Sequence, residues 1–135
     1  FYDTGLLCFL LKINDAASVK TSSIKGSLFE NFVINEFLKQ NYHHNLMQDF
    51  WFWRDAVGHE VDLIWQDTDK LNVVEIKASE TIMPNMFKGL EYFDKLAADR
   101  IASKTLVHTG TFNQHRTAAR VQSWNNYSQR FVIEL

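Results

Sequence analysis

The chain has 135 residues and a formal net charge of −2, and it is 46% hydrophobic and 14% aromatic with one proline and five glycines. That balance excludes a disordered or low-complexity polypeptide, and bulk charge does not announce a nucleic-acid binder. The lone Cys8 excludes a disulfide framework and a cysteine metal site. No run reaches the roughly 18 apolar residues of a membrane span, and Leu6–Leu11 has no basic segment before it as a signal peptide requires. A reducing cytoplasm is the expected setting. Because the chain starts at Phe1, it is read as the C-terminal part of a longer protein, with residues 1–135 forming a single domain.

Phe1–Ile13 reads as an extended start followed by a short apolar helix, and the polar, small-residue stretch Asn14–Ser23 as a loop. A helix is expected over Ser27–Gln40, with Ser23 or Ser27 as its cap, ending at the polar break Asn41–Asn45. Asp49–Arg54, dense in aromatics, and Glu60–Trp65 read as strands joined by a tight connection, Asp55–His59, that contains Gly58. After a polar turn at Asp67–Lys70, Leu71–Ala78 is a third strand, apolar on both faces and therefore central. Pro84 marks entry to a helix over Asn85–Ala98, with Met86, Leu90, Phe93 and Ala97 on one face. Lys104–Thr109 is a fourth strand closed by Gly110, Phe112–Arg120 carries no clear pattern, Arg120–Trp124 reads as a short fifth strand, and Tyr127–Leu135 finishes the domain. This order gives a mixed α/β sheet in which a three-strand antiparallel meander enters a crossover.

Acidic residues occur where these strands should be apolar. Side chains alternate along a strand, so Glu60 and Asp62 share one face of the second strand, and Glu75 and Lys77 share one face of the third. Glu30 falls between Phe37 and Ile34 on the helical wheel of the first long helix, inside its apolar arc, while Glu36 lies at the edge of that arc. Glu30, Asp62 and Glu75 thus come from three elements that can converge. Two like charges about 4 Å apart repel by about 4 kcal/mol at an effective dielectric near 20, so such a group calls for a cation. Lys77 offsets one charge, and a hard oxygen set with few histidines points to Mg²⁺ or Mn²⁺ before Zn²⁺. The plainer reading of Glu75 and Lys77 is a structural ion pair within the sheet.

Other candidates carry less. Adjacent side chains of His43 and His44 diverge, so with Asp49 they make a poor metal site. His59 beside Gly58 could touch a phosphate or assist proton transfer, although a loop histidine is ordinarily solvated. Phe50, Trp51, Phe52 and Trp53 could stack on bases, but aromatics on both faces of a strand are more often core. From Arg100 to Ile133 there are five basic residues and no acidic one, so Trp124 and Tyr127 with Arg120 and Arg130 are a candidate nucleic-acid surface. No Gly-rich phosphate loop is present, and ATP binding by this segment is not expected.

The segment Gly26-Ser27-Leu28-Phe29-Glu30-Asn31-Phe32-Val33, then Arg54 through Gly58-His59-Glu60-Val61-Asp62, then Glu75-Ile76-Lys77, resembles the PD-(D/E)xK nuclease superfamily. More narrowly it is similar to the domain of unknown function 4143, which usually forms the C-terminal part of prokaryotic AAA-type ATPases. The opening Phe1-Tyr2-Asp3-Thr4-Gly5-Leu6-Leu7 also resembles the start of that domain, and the likeness runs to about Lys95 and weakens after it. The resemblance implies a restriction-endonuclease-like fold, a mixed central sheet flanked by helices, that hydrolyses DNA phosphodiesters and works beside an upstream ATPase module. It implies Asp62 and Glu75 as ligands of Mg²⁺ or Mn²⁺, with the carbonyl of Ile76 as a third, Glu30 as direct or water-mediated support, and Lys77 orienting the attacking water. Glu60, on the same face as Asp62, departs from the usual pattern and is expected either to support the site or to point away. The alternatives are a catalytically inactive module of the same fold that binds nucleic acid or a protein partner and regulates the ATPase, and a pure interaction domain whose aromatics form its interface.

Overall fold

The computed structural model describes residues 1–125, so the expectations for Tyr127–Leu135, including Tyr127 and Arg130, lie outside the described residues. Two short helices open the chain. α1 (Thr4–Leu10) starts where Asp3 Oδ1 accepts the Leu6 N–H at 2.8 Å, and α2 (Ala16–Thr21) starts where Asp15 does the same for Ser18 at 2.8 Å. The second helix replaces the loop expected over Asn14–Ser23. Asp15 is a strong cap that satisfies an otherwise orphan N–H, and this outweighs the small polar composition of the segment.

α3 (Lys25–His43) is longer than its apolar pattern at both ends. It begins after Ile24 with no side-chain cap, so neither Ser23 nor Ser27 plays that part. It runs through the expected polar break because Asn41 is buried and bonded in both directions. Asn41 Nδ2 donates to the Gln48 carbonyl at 2.8 Å, and its Oδ1 accepts the Gln48 N–H at 3.0 Å. The side-chain amide thereby imitates a backbone partner for the chain leading into the sheet.

The sheet has six strands in the order β1-β2-β3-β4-β6-β5. β1 (Trp51–Arg54), β2 (Glu60–Asp67) and β3 (Lys70–Lys77) form the expected antiparallel meander. After β3 the chain crosses over through a 3₁₀ turn at Pro84–Phe87 and α4 (Lys88–Ala97) to β4 (Ile101–His108), which lies parallel to β3. Proline fits the first turn because it has no N–H to leave unbonded. β6 (Arg120–Ser123) extends the sheet parallel to β4, and the two-residue β5 (Gln114–His115) closes the edge antiparallel to β6, within the stretch that showed no pattern in sequence.

Helices cover both faces. On one side α4 packs Leu90 and Phe93 against Ile64, Val73, Leu106 and Val121, with Met86 and Ala97 at the margin, as the spacing of those four α4-region residues predicts. On the other, α3 packs Val33 and Phe37 against Leu63, Trp65, Val74, Ile76 and Val107. Each such side chain contributes roughly 1.5–3 kcal/mol when taken from water. β3 is buried from Val73 to Ile76, which confirms it as a central strand. Among the described residues no helix is long and apolar enough to cross a membrane.

Candidate functional site

The pairing of β2 with β3 sets Ile64 opposite Val73 and Leu63 opposite Val74. Val73 belongs to the α4-side core and Val74 and Ile76 to the α3-side core, so alternation turns Glu75 and Lys77 toward α4, whereas Asp62 lies in an irregular stretch of β2 between Val61 and Ile64, both on the α4 side. One further step of this register would set Asp62 against Glu75. The ladder stops short of that step, and a side chain takes the place of the missing backbone acceptor: Asp62 Oδ2 accepts the Ile76 N–H at 2.6 Å. Ile76 therefore meets Asp62 through its amide, while its side chain is buried in the α3-side core.

Lys77 reaches back over both acids. Its ammonium contacts Glu75 Oε1 and lies 4.0 Å from Asp62 Oδ2. The two carboxylates are almost sealed, with side-chain exposures of 7% for Asp62 and 5% for Glu75, against 29% for Lys77. Glu75 Oε2 is buried with no hydrogen-bond partner. The nearest wall on that side is α4. A Cβ built on Gly89 would lie 2.0 Å from the Glu60 carbonyl oxygen and 3.3 Å from Glu75 Oε2, so only glycine lets the helix come this close.

The charges follow from this burial. Loss of solvent, then the neighbouring Asp62 charge, pushes Glu75 up to about 7, against the pull of Lys77. Burial also raises Asp62, while Lys77 and the Ile76 N–H oppose the rise. Burial alone would lower Lys77, but Glu75 and Asp62 outweigh it and hold the ammonium above its ordinary value. Glu30 enters from the second turn of α3, half-buried, and no described residue donates a hydrogen bond to it. Burial raises its carboxyl, followed by the Asp62 and Glu60 charges, while Lys77 pulls the other way.

Glu60, the same-face neighbour of Asp62, is exposed at the start of β2 opposite Arg54, and its charge acts on the cluster from outside. Glu36 pairs with Lys39 at 2.6 Å. His43 and His44 are exposed at the end of α3, and His44 Nε2 meets Gln40 Oε1 at 3.2 Å. The aromatic run divides: Phe50 packs with Phe37 and Trp65, Trp53 packs with Tyr92 and Phe93, while Trp51 and Phe52 are exposed on the edge strand. Of the basic stretch, Lys104 is bound to Asp94 at 2.5 Å, and Arg116 donates to the Ile82 carbonyl at 3.3 Å and lies over the Phe87 ring. Trp124 packs edge-on against Phe32 on the α3 side.

Two residues near the cluster were not singled out from sequence. Gly89 looked like one more helical residue, because helix periodicity says nothing of what the helix approaches. His108 pairs with Lys77 in the β3–β4 register and is fully buried. Its Nδ1 accepts the Gly110 N–H at 3.1 Å and its Nε2 donates to the Phe112 carbonyl at 2.8 Å, so it braces the end of β4. Parallel register is not written in either strand alone, which is why this neighbour escaped.

Among the described residues no group of three or more His, Cys, Asp or Glu is arranged to hold a metal ion by itself. Two carboxylates with an unbonded oxygen still suit Mg²⁺, which commonly takes one or two carboxylates and completes its shell with water and substrate phosphate. A family model described as "Domain of unknown function (DUF4143)" matches residues 25–127. The match begins after the Phe1–Leu7 opening and extends well past Lys95. Comparisons with curated proteins and with solved structures found no match.

Proposed function

The chain belongs to the DUF4143 family, and from that premise we propose that the Glu30, Asp62, Glu75 and Lys77 cluster is the site of a PD-(D/E)xK-type nuclease with a restriction-endonuclease-like fold, dependent on Mg²⁺ or Mn²⁺ and acting on DNA. The observation that carries this reading is Glu75 Oε2, a carboxylate oxygen buried without a hydrogen bond beside Asp62 and Lys77. Leaving such an atom unmatched costs on the order of 1–3 kcal/mol or more, a cost a protein retains where the atom has a task. A divalent ion supplies Lewis acidity at a phosphodiester and a more acidic bound water. Asp62 and Glu75 would hold it, Glu30 would support it from α3 directly or through water, and the carbonyl of Ile76 remains the proposed third ligand. Lys77, already near both acids, would release Glu75 to the ion, orient the attacking water and offset charge on the phosphate in the transition state. In this reading residues 1–135 are one domain C-terminal to an AAA-type ATPase module, and ATP is bound there.

Incubating the protein with DNA and Mg²⁺ or Mn²⁺ tests the reading. Wild type should cleave, and Lys77→Ala and Asp62→Ala should each lose roughly a hundredfold or more in rate. Equal rates for wild type and Lys77→Ala would remove the enzymatic reading. The alternative, a nuclease-fold module without turnover that binds nucleic acid or a partner and regulates the ATPase, is favoured by two observations: Lys77 already contacts Glu75, and among the described residues no group of three His, Cys, Asp or Glu is arranged to hold a metal ion. That reading predicts no metal density between Asp62 and Glu75 in crystals soaked at high Mn²⁺.

A further inference from the structure

A second group of polar side chains stands against the same strip of α4 that Glu75 meets. The connection between β1 and β2 is organised by Asp55, whose Oδ1 accepts the N–H groups of Val57, Gly58 and His59 at 2.9, 2.7 and 2.8 Å. Its Oδ2 lies 2.7 Å from His59 Nδ1. The imidazole is fixed a second time by stacking on Tyr92, with ring centroids 4.0 Å apart and planes 6° from parallel. Tyr92 is in turn stacked with Trp53 at 6.0 Å. Gly89, three residues before Tyr92 and so on the same side of α4, is the residue that faces the Glu60 carbonyl and Glu75 Oε2. One helix face therefore meets both the Glu75 carboxylate and the imidazole.

A carboxylate on Nδ1 requires that nitrogen to carry its proton, which fixes the tautomer and leaves Nε2 as the ring atom with no partner among the described residues. The side chain is 34% exposed, enough for a ligand to reach. The hairpin is closed by the three bonds to Asp55 Oδ1 and by the Asp55 N–H donated to the His59 carbonyl at 3.0 Å. The bond from Oδ2 and the ring stack instead restrain the histidine side chain, and two restraints on a half-exposed ring prepare it for a partner. A phosphate oxygen meets the need when the ring is an imidazolium, with Nε2–H donating to it and the Asp55 carboxylate behind the ring.

We propose that His59, held by Asp55 and Tyr92, is a phosphate-contacting residue for the nucleic-acid substrate, gripping the backbone beside the Asp62, Glu75 and Lys77 cluster. The proposal rests on the nuclease-type reading for its substrate class, but its test needs no cleavage. Binding of a short duplex DNA is measured by fluorescence anisotropy at several salt concentrations without divalent ions, for wild type, His59→Gln and His59→Phe. The phenylalanine variant keeps the stack on Tyr92 and removes both nitrogens. Both variants should bind roughly three- to tenfold more weakly, with the salt dependence reduced by about one phosphate contact. Nitrogen NMR of the histidine ring in wild type should show the His59 Nε2 signal moving on DNA addition. Unchanged affinity and salt slope in both variants, unmoved ring signals, or no DNA binding by wild type would each overturn the proposal. Binding through His59 without metal-dependent cleavage would leave this contact standing and end the nuclease reading. Cleavage by wild type with His59→Phe binding equally well would do the reverse.

Discussion

At the scale of single residues, the site is a contest between burial and charge. Glu75 has a folded-state value near 7 against an ordinary value of 4.5, so between those limits the folded protein binds more protons than the unfolded chain. Stability contributed by this group is therefore full at low pH and is lost as pH rises toward and past 7. Asp62 and Glu30 are raised in the same sense, while the raised Lys77 stays charged across this window and adds no slope. In metal-free buffer, urea unfolding should show wild type losing about 2–3 kcal/mol between pH 5 and pH 8 relative to Glu75→Gln. Parallel pH profiles for the two proteins would show that Glu75 is not destabilised by burial.

At the scale of elements, α4 decides how closed the site is. Alanine inside a helix normally gains up to about 1 kcal/mol over glycine. At Gly89 that gain is outweighed, because the new methyl would meet the Glu60 backbone carbonyl, which cannot swing aside like a flexible side chain. Gly89→Ala should cost about 1–3 kcal/mol in thermal or urea unfolding. Equal or greater stability would mean that α4 has room to rise from the sheet. The elements also divide by how legible they were. The meander was readable because alternation and polar turns are local, and the apolar stripe of α4 was readable for the same reason. The end of α3 was not, since it depends on Asn41 finding Gln48 across a loop. α2 was lost because a six-residue helix leaves almost no periodic trace, and its signal was the single cap Asp15. Among the site residues, the Glu75 and Lys77 pairing follows from strand alternation, and nearness to Asp62 follows from the β2–β3 turn. That Lys77 would contact Glu75 and lie farther from Asp62, and that Glu75 Oε2 would be unbonded, depends on how α4 closes over the strands.

At the scale of the whole molecule, a site of this kind ties stability to ion concentration. If Asp62 and Glu75 hold Mg²⁺ or Mn²⁺, the ion binds the folded state and removes the mismatch at Glu75. For millimolar affinity, 10 mM ion adds on the order of 1.4 kcal/mol, or roughly 3–8 °C in Tm for a chain of this size. Calorimetry at pH 8 should show that rise in wild type and none in Asp62→Asn. Equal shifts in both would assign the effect to ions bound elsewhere.

The order of strands also has a kinetic consequence. The acidic pair lies on a hairpin of neighbouring strands, which close quickly because little chain separates them, whereas β4 and β6 join only after the crossover. Asp62 and Glu75 can thus meet while still in water, where their repulsion is screened, and the cost of drying them falls on the later docking of α4 around Gly89. Covering the hairpin is then the step expected to be slow and proton-sensitive. Stopped-flow refolding of wild type should slow from pH 5 to pH 8 more steeply than that of Glu75→Gln, which retains Asp62 and Glu30, and equal pH dependence in the two would place the barrier elsewhere in the chain.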